Sequence, residues 1–114
     1  MRELNLQRLV ALDASTNGWI AEHYESKKLL LPNGMYADSG VPVGYPDLTL
    51  YVAPGIVCFV ELKVNKNKPS KEQLEFQSRM RSRGYISEII YSMQEWEGVK
   101  TLIIHKYNLQ GVHY

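Results

Sequence analysis

Apolar positions recur along this chain with two periods, one near 3.6 residues and one of two, and the switches between them mark out its elements. Between residues 2 and about 14, Leu6, Leu9, Val10 and Asp13 fall at i, i+3, i+4 and i+7, with Leu4 and Leu12 widening the apolar side. This predicts a helix. Glu3, Leu6, Gln7 and Val10 share one of its faces, so Glu3 points toward the protein. Asn17-Gly18 ends it. Residues 19–31 have a mixed pattern, read as an extended piece around Trp19 to Tyr24 and a basic turn at Lys27-Lys28. Three prolines and three glycines between Pro32 and Pro46 predict a loop with defined turns.

The period then drops to two. Asp47, Thr49 and Tyr51 alternate with Leu48, Leu50 and Val52, which is the pattern of a strand with two unlike faces. Ala53-Pro54-Gly55 reads as a turn. Ile56 to Lys63 is a second strand, and its Ile-Val-Cys-Phe-Val run is apolar on both faces, as in the middle of a sheet. The two strands are expected to pair as an antiparallel hairpin. After a polar, lysine-rich loop from Asn65 to Pro69, Ser70 caps a helix that runs to about Arg83 and ends at Gly84. Tyr85 to Tyr91 is strand-like, Met93 to Glu97 one helical turn, and Thr101 to Tyr107 a last strand. The order predicts an α/β fold, a mixed sheet flanked by helices, in one domain spanning 1–114.

Composition narrows the class without choosing within it. Hydrophobic content of 45% and charged content of 22% are those of a globular protein. No window resembles a membrane span, and no basic segment followed by an apolar core opens the chain, so a cytoplasmic location is expected. Cys58, the only cysteine, sits within a strand and reads as a small core residue. Net charge is only +1, but Lys63 to Arg83 carries seven positive and two negative side chains, +5 over 21 residues. Such a segment can follow a phosphate backbone, and it can equally be a solvated helix face.

The candidate chemistry lies where the hairpin ends. Glu61 and Lys63, two apart on one strand, emerge on the same face roughly 6–7 Å apart. Counted back from the 53–55 turn, Asp47 pairs near the 61–63 end. Two carboxylates and the backbone carbonyl of Leu62 make an oxygen set suited to Mg²⁺. Lys63 beside them could offset charge on a phosphate undergoing hydrolysis. Each piece also has a plain structural explanation. Asp47 can simply open a strand, and Glu61 with Lys63 can be an exposed ion pair stabilising by less than about 1 kcal/mol. What favours chemistry is that all three meet at one end of doubly apolar strands, with a basic loop and helix following. Gln73 is ambiguous: Ser70-Lys71-Glu72-Gln73 fits a capping box, while Gln73, Phe76 and Met80 form the inward stripe of the helix. His23, His105 and His113 lack metal-ligand spacing, no glycine-rich phosphate loop is present, and no serine or cysteine has an evident paired base.

Through Gly44-Tyr45-Pro46-Asp47-Leu48, Phe59-Val60-Glu61-Leu62-Lys63, Ser70-Lys71-Glu72-Gln73 and Gly84-Tyr85, the chain resembles the PD-(D/E)xK nuclease superfamily. Within it, the chain is similar to the stand-alone VRR-NUC domains of phages and bacteria. That resemblance implies a restriction-endonuclease-like fold and metal-dependent cleavage of DNA. Asp47 and Glu61 would bind Mg²⁺ or Mn²⁺, Lys63 would hold the catalytic position, and Gln73 would support the site. Glu3, with Gln7 one turn later, matches an early helix glutamate of the family and is a further candidate ligand. Lys66, Lys68, Lys71 and Tyr45 are the candidate DNA contacts. The resemblance further implies a homodimer acting on branched DNA such as a Holliday junction, in a bacterial or phage-infected cell; a related domain acts on flaps. Two departures bear on substrate preference: Gly44-Tyr45 replaces a common glycine-valine pair, and Lys66-Asn67-Lys68-Pro69 lacks an arginine often found there. The alternatives are a non-cleaving nucleic-acid-binding module on the same fold, a flap-type or nicking nuclease, and a small structural protein with surface ion pairs.

Overall fold

Residues 2–24, 28–38 and 44–109 are described by a computed structural model. Helix α1 (Glu3–Thr16) is followed by strand β1 (Ile20–His23), a small pair β2 (Lys28–Leu30) and β3 (Tyr36–Asp38), and the hairpin β4 (Leu48–Ala53) and β5 (Ile56–Leu62). Helix α2 (Lys71–Ser82), strand β6 (Ile86–Ile90) and helix α3 (Met93–Lys106) complete the order. The main sheet runs β1-β4-β5-β6, and β2 and β3 form a second, two-stranded sheet. Pairing is antiparallel from β1 through β5 and parallel between β5 and β6, so the sheet is mixed as expected. A parallel pair needs a crossover, and α2 supplies it.

The sheet has two unlike faces because β5 is apolar on both and β4 on one. Leu48 and Leu50 of β4, with Cys58, Val60 and Leu62 of β5, meet Leu6, Val10 and Ala14 of α1 and Trp96 and Ile103 of α3 in the main core. Trp19 sets its ring edge-on to Trp96 at 6.2 Å between centroids. The opposite face is aromatic: Phe59 packs edge-on against Phe76 of α2 at 5.2 Å and against Tyr85 at 5.8 Å. Polar contacts fix α2 there. Gln77 Nε2 and Arg81 Nε both donate to the Ser87 carbonyl, at 3.0 and 2.9 Å, and Arg81 forks onto the Glu88 carboxylate.

Three expectations are corrected. Thr101 to Tyr107 is not a strand: α3 runs unbroken from Met93 to Lys106. Its Ser92 hydroxyl accepts from the Glu95 N–H at 3.1 Å, and the Glu95 carboxylate accepts from the Tyr91 N–H at 3.1 Å, which starts the helix. The loop expected from Pro32 contains β3, because Leu31 N–H donates to the Met35 carbonyl at 2.7 Å and closes a hairpin around Pro32-Asn33-Gly34. Lys28 likewise lies in β2 rather than in a turn. Lys27 and the part of the loop around Gly40 fall outside the described residues. No helix among the described residues is long and apolar enough to cross a membrane.

Candidate active site

The ladder between β4 and β5 brings the two acids together. Leu48 pairs with Val60, so Asp47, one residue before Leu48, falls opposite Glu61, one residue beyond Val60. The Asp47 carboxylate then turns into the ladder and accepts from the Leu62 N–H at 2.8 Å. On its other side, the Asp47 carbonyl lies 2.8 Å from His23 Nδ1, which ties this strand end to β1. Glu61 is 6% exposed although it is ionisable, and its carboxyl contacts that of Asp47. Burial raises its pKa most, the hydrogen bond and charge of Asp47 raise it further, and Lys63 offsets part of this. Two carboxyls in a dry site cannot both ionise without a proton or a cation between them.

Gln73 resolves the ambiguity left by the sequence, because it plays both parts at once. Its backbone N–H donates to the Ser70 hydroxyl at 3.1 Å and its Oε1 accepts from the Ser70 N–H at 2.8 Å, completing the capping box. The other end of the same amide, Nε2, donates to Glu61 Oε2 at 2.8 Å. One side chain therefore closes the start of α2 and holds the buried glutamate.

Lys63 follows β5 directly, and its N–H donates to the Ile90 carbonyl at 2.9 Å, which extends the parallel ladder past the end of the strand. By strand alternation its side chain shares the Glu61 face. Glu3, half-buried on α1, has its pKa raised by burial and by Asp47, with Lys63 pulling the other way. It is within electrostatic reach of the pair. Among the described residues no three acidic, histidine or cysteine side chains form a ready-made metal cluster. The donor set is thus Asp47 and Glu61 in contact, with Glu3 farther off and the Leu62 carbonyl on the same strand. Hard carboxylate oxygens of this kind suit Mg²⁺ or Mn²⁺, and a dication would relieve the repulsion between them.

The basic residues lie beyond the strand ends. Lys66, Lys68 and Lys71 are exposed, and Lys71 makes a 3.9 Å surface pair with Glu75. Tyr45 is packed: its ring meets Phe76 at 5.1 Å, Tyr24 at 5.6 Å and Phe59 at 6.4 Å, so it forms part of the aromatic layer under α2. The sequence reading missed the Leu62 N–H that holds Asp47, a contact that follows once the hairpin register is drawn. It also missed the hydroxyl of Thr49, buried on the Asp47 face with no hydrogen-bond partner among the described residues.

No protein-family model matches the chain, and no curated protein matches it in sequence. Among solved structures, one described as a VRR_NUC domain aligns with 87% of this chain and 94% of its own, with a TM-score of 0.66 at 23% identity. The chain has the fold of a VRR_NUC domain, in agreement with the resemblance its motifs carry.

Proposed function

We propose that this protein is a metal-dependent DNA endonuclease with Asp47, Glu61 and Lys63 at its active site. The observation that carries the reading is the nearly buried Glu61 carboxyl, in contact with that of Asp47 and hydrogen-bonded by Gln73. A structural ion pair joins opposite charges and tolerates water. Here two acids are pressed together where water is scarce, so that one must keep a proton or share a cation, an arrangement that costs folding free energy and that cation binding would explain. The VRR_NUC fold supports the same reading.

Asp47, Glu61 and the Leu62 carbonyl would hold Mg²⁺ or Mn²⁺, with Glu3 as a further ligand. When bound, such an ion polarises the scissile phosphate and acidifies a coordinated water. The chain itself supplies position and charge. The Leu62 N–H and the Gln73 amide fix one carboxylate each, so neither must be ordered when substrate arrives. Lys63 brings positive charge to the phosphate as negative charge builds in the transition state. Lys66, Lys68 and Lys71 would pair with backbone phosphates on either side, contacts that set register without reading sequence. One chain carries one such site, and paired cuts need two, so the reading extends to a homodimer acting on branched DNA such as a four-way junction.

The test is cleavage of supercoiled plasmid and of a synthetic four-way junction in Mg²⁺ and in EDTA. Products are expected only with metal, and Lys63→Ala should slow their formation about 10²–10³-fold, as for loss of one preorganised electrostatic contact. Cleavage that persists in EDTA, or binding without any cleavage in Mg²⁺, would refute the proposal.

A further inference from the structure

The ladder sets the two carboxyls side by side, but each is approached from a different element. Asp47 is carried by the segment 44–46 that leads into β4, and Glu61 is held by Gln73 from the first turn of α2. Nothing in the hairpin ladder sets the distance between that segment and that turn. The contact that does so lies at Gly44. Its φ is +87°, in the left-handed region, and a Cβ placed on it would lie 2.5 Å from both the carbonyl carbon and the carbonyl oxygen of Glu72 and 2.8 Å from the Glu72 Cβ. Two of those three atoms are helix backbone, which cannot turn aside as a flexible side chain can. Glu72 directly precedes Gln73. One residue after Gly44, the Tyr45 ring lies against Phe76, one helical turn beyond Glu72, and Pro46 is buried behind it. Segment and helix are therefore in contact along a full turn, with main chain against main chain at its near end.

We infer that Gly44 is a positioning residue of the active site: its missing side chain lets the first turn of α2 sit close enough for Gln73 to reach Glu61 while Asp47 faces the same spot. Any side chain at position 44 would push apart the segment that carries one carboxylate and the helix that holds the other. This inference rests on the metal-dependent reading above for its consequence in function, and on the geometry alone for its consequence in structure.

Gly55 provides the control. It also has a positive φ, +76°, but a Cβ there meets nothing within 4 Å. Gly55→Ala therefore carries the backbone strain without the collision, and Gly44→Ala carries both. Two readouts separate them. In NMR spectra of the metal-free protein, the Gln73 side-chain amide should show slowed hydrogen exchange in the wild type and in Gly55→Ala, and exchange like a free glutamine in Gly44→Ala. In Mn²⁺ titrations, Gly44→Ala should bind roughly 10–100-fold more weakly than Gly55→Ala, the range for losing a support of a metal ligand. A Gln73 amide equally protected in both variants would overturn the inference, whatever the metal data show. Wild-type protein that binds no Mn²⁺, with the amide lost only in Gly44→Ala, would overturn the nuclease reading and leave the positioning role standing.

Discussion

Glu61 and Leu62 are neighbours on one strand, yet they face two different interiors. Leu62 is fully buried in the layer made by α1 and α3, surrounded by aliphatic side chains and Trp96. Glu61 is 6% exposed on the side covered by α2, where aromatic rings give way to polar groups toward the strand end. One face holds the molecule together. The other, less completely covered, gives up stability to keep two acids in contact. Strand alternation makes this division possible, since a single strand serves both faces and shares its backbone between them. The Leu62 N–H illustrates the sharing: its side chain anchors the core while its amide holds Asp47.

Substitutions at the two neighbours should have opposite effects. Leu62→Ala is expected to cost about 2–5 kcal/mol through lost burial and a residual cavity, seen as a lower urea midpoint. Glu61→Gln should leave that midpoint unchanged or raise it, because a neutral amide removes the cost of keeping a carboxyl protonated beside Asp47, while cleavage is abolished. A large loss of stability in Glu61→Gln would erase the distinction between the faces. Next in size, Gln73→Ala should reduce cleavage about 10–100-fold by releasing Glu61. It should also destabilise the protein by about 1 kcal/mol through the broken capping box. Gln73→Glu would keep the cap but place a third acid against the pair, so recovery of stability without activity would separate its two functions.

The smallest effect belongs to the core side. Asp13 of α1 accepts from Trp96 Nε1 at 2.7 Å and Lys100 Nζ at 2.8 Å, joining α1 to α3. Burial alone would raise its pKa, but the hydrogen bonds from Lys100 and Trp96 and the Lys100 charge outweigh burial and lower it. A carboxylate with a depressed folded pKa stabilises the protein above its unfolded pKa, and that contribution disappears as pH falls through the folded value. Asp13→Asn should therefore cost roughly 1 kcal/mol at pH 7, and the gap from wild type should shrink in urea melts below about pH 4. A gap independent of pH would mean that packing, not charge, links the two helices.

Much of the site was legible because it depends on short-range rules. Strand alternation put Glu61 and Lys63 on one face, and a three-residue turn put Asp47 at their end. The Ser70-Gln73 spacing and the inward stripe left Gln73 between a cap and an inward position, and the structure gives it both the capping bonds and a contact to Glu61. The C-terminal error had a different cause. Leu102-Ile103-Ile104 after Thr101 looks like a buried strand, but Trp96, Val99, Lys100 and Ile103 follow the helical period, and Ser92 with Glu95 repeats the cap spacing already recognised at Ser70. A local β-branched run was outweighed by a longer helical pattern with a defined start. The β2–β3 pair was missed because its strands are three residues each, too short for alternation to register. Gly44 could be read only as a turn glycine, since Glu72, the residue it meets, is 28 positions away in sequence.

If Glu61 acts as proposed, the dual attachment of Gln73 would tie catalysis to the melting of a helix end. Terminal turns open and reclose far more often than whole domains unfold. Each time the first turn of α2 frays, the amide that grips Glu61 departs with it. On the proposed nuclease reading, a local helix–coil equilibrium would then cap the fraction of molecules ready to act at any instant. Mutations that strengthen the start of α2 should raise turnover even where they touch neither DNA nor ion.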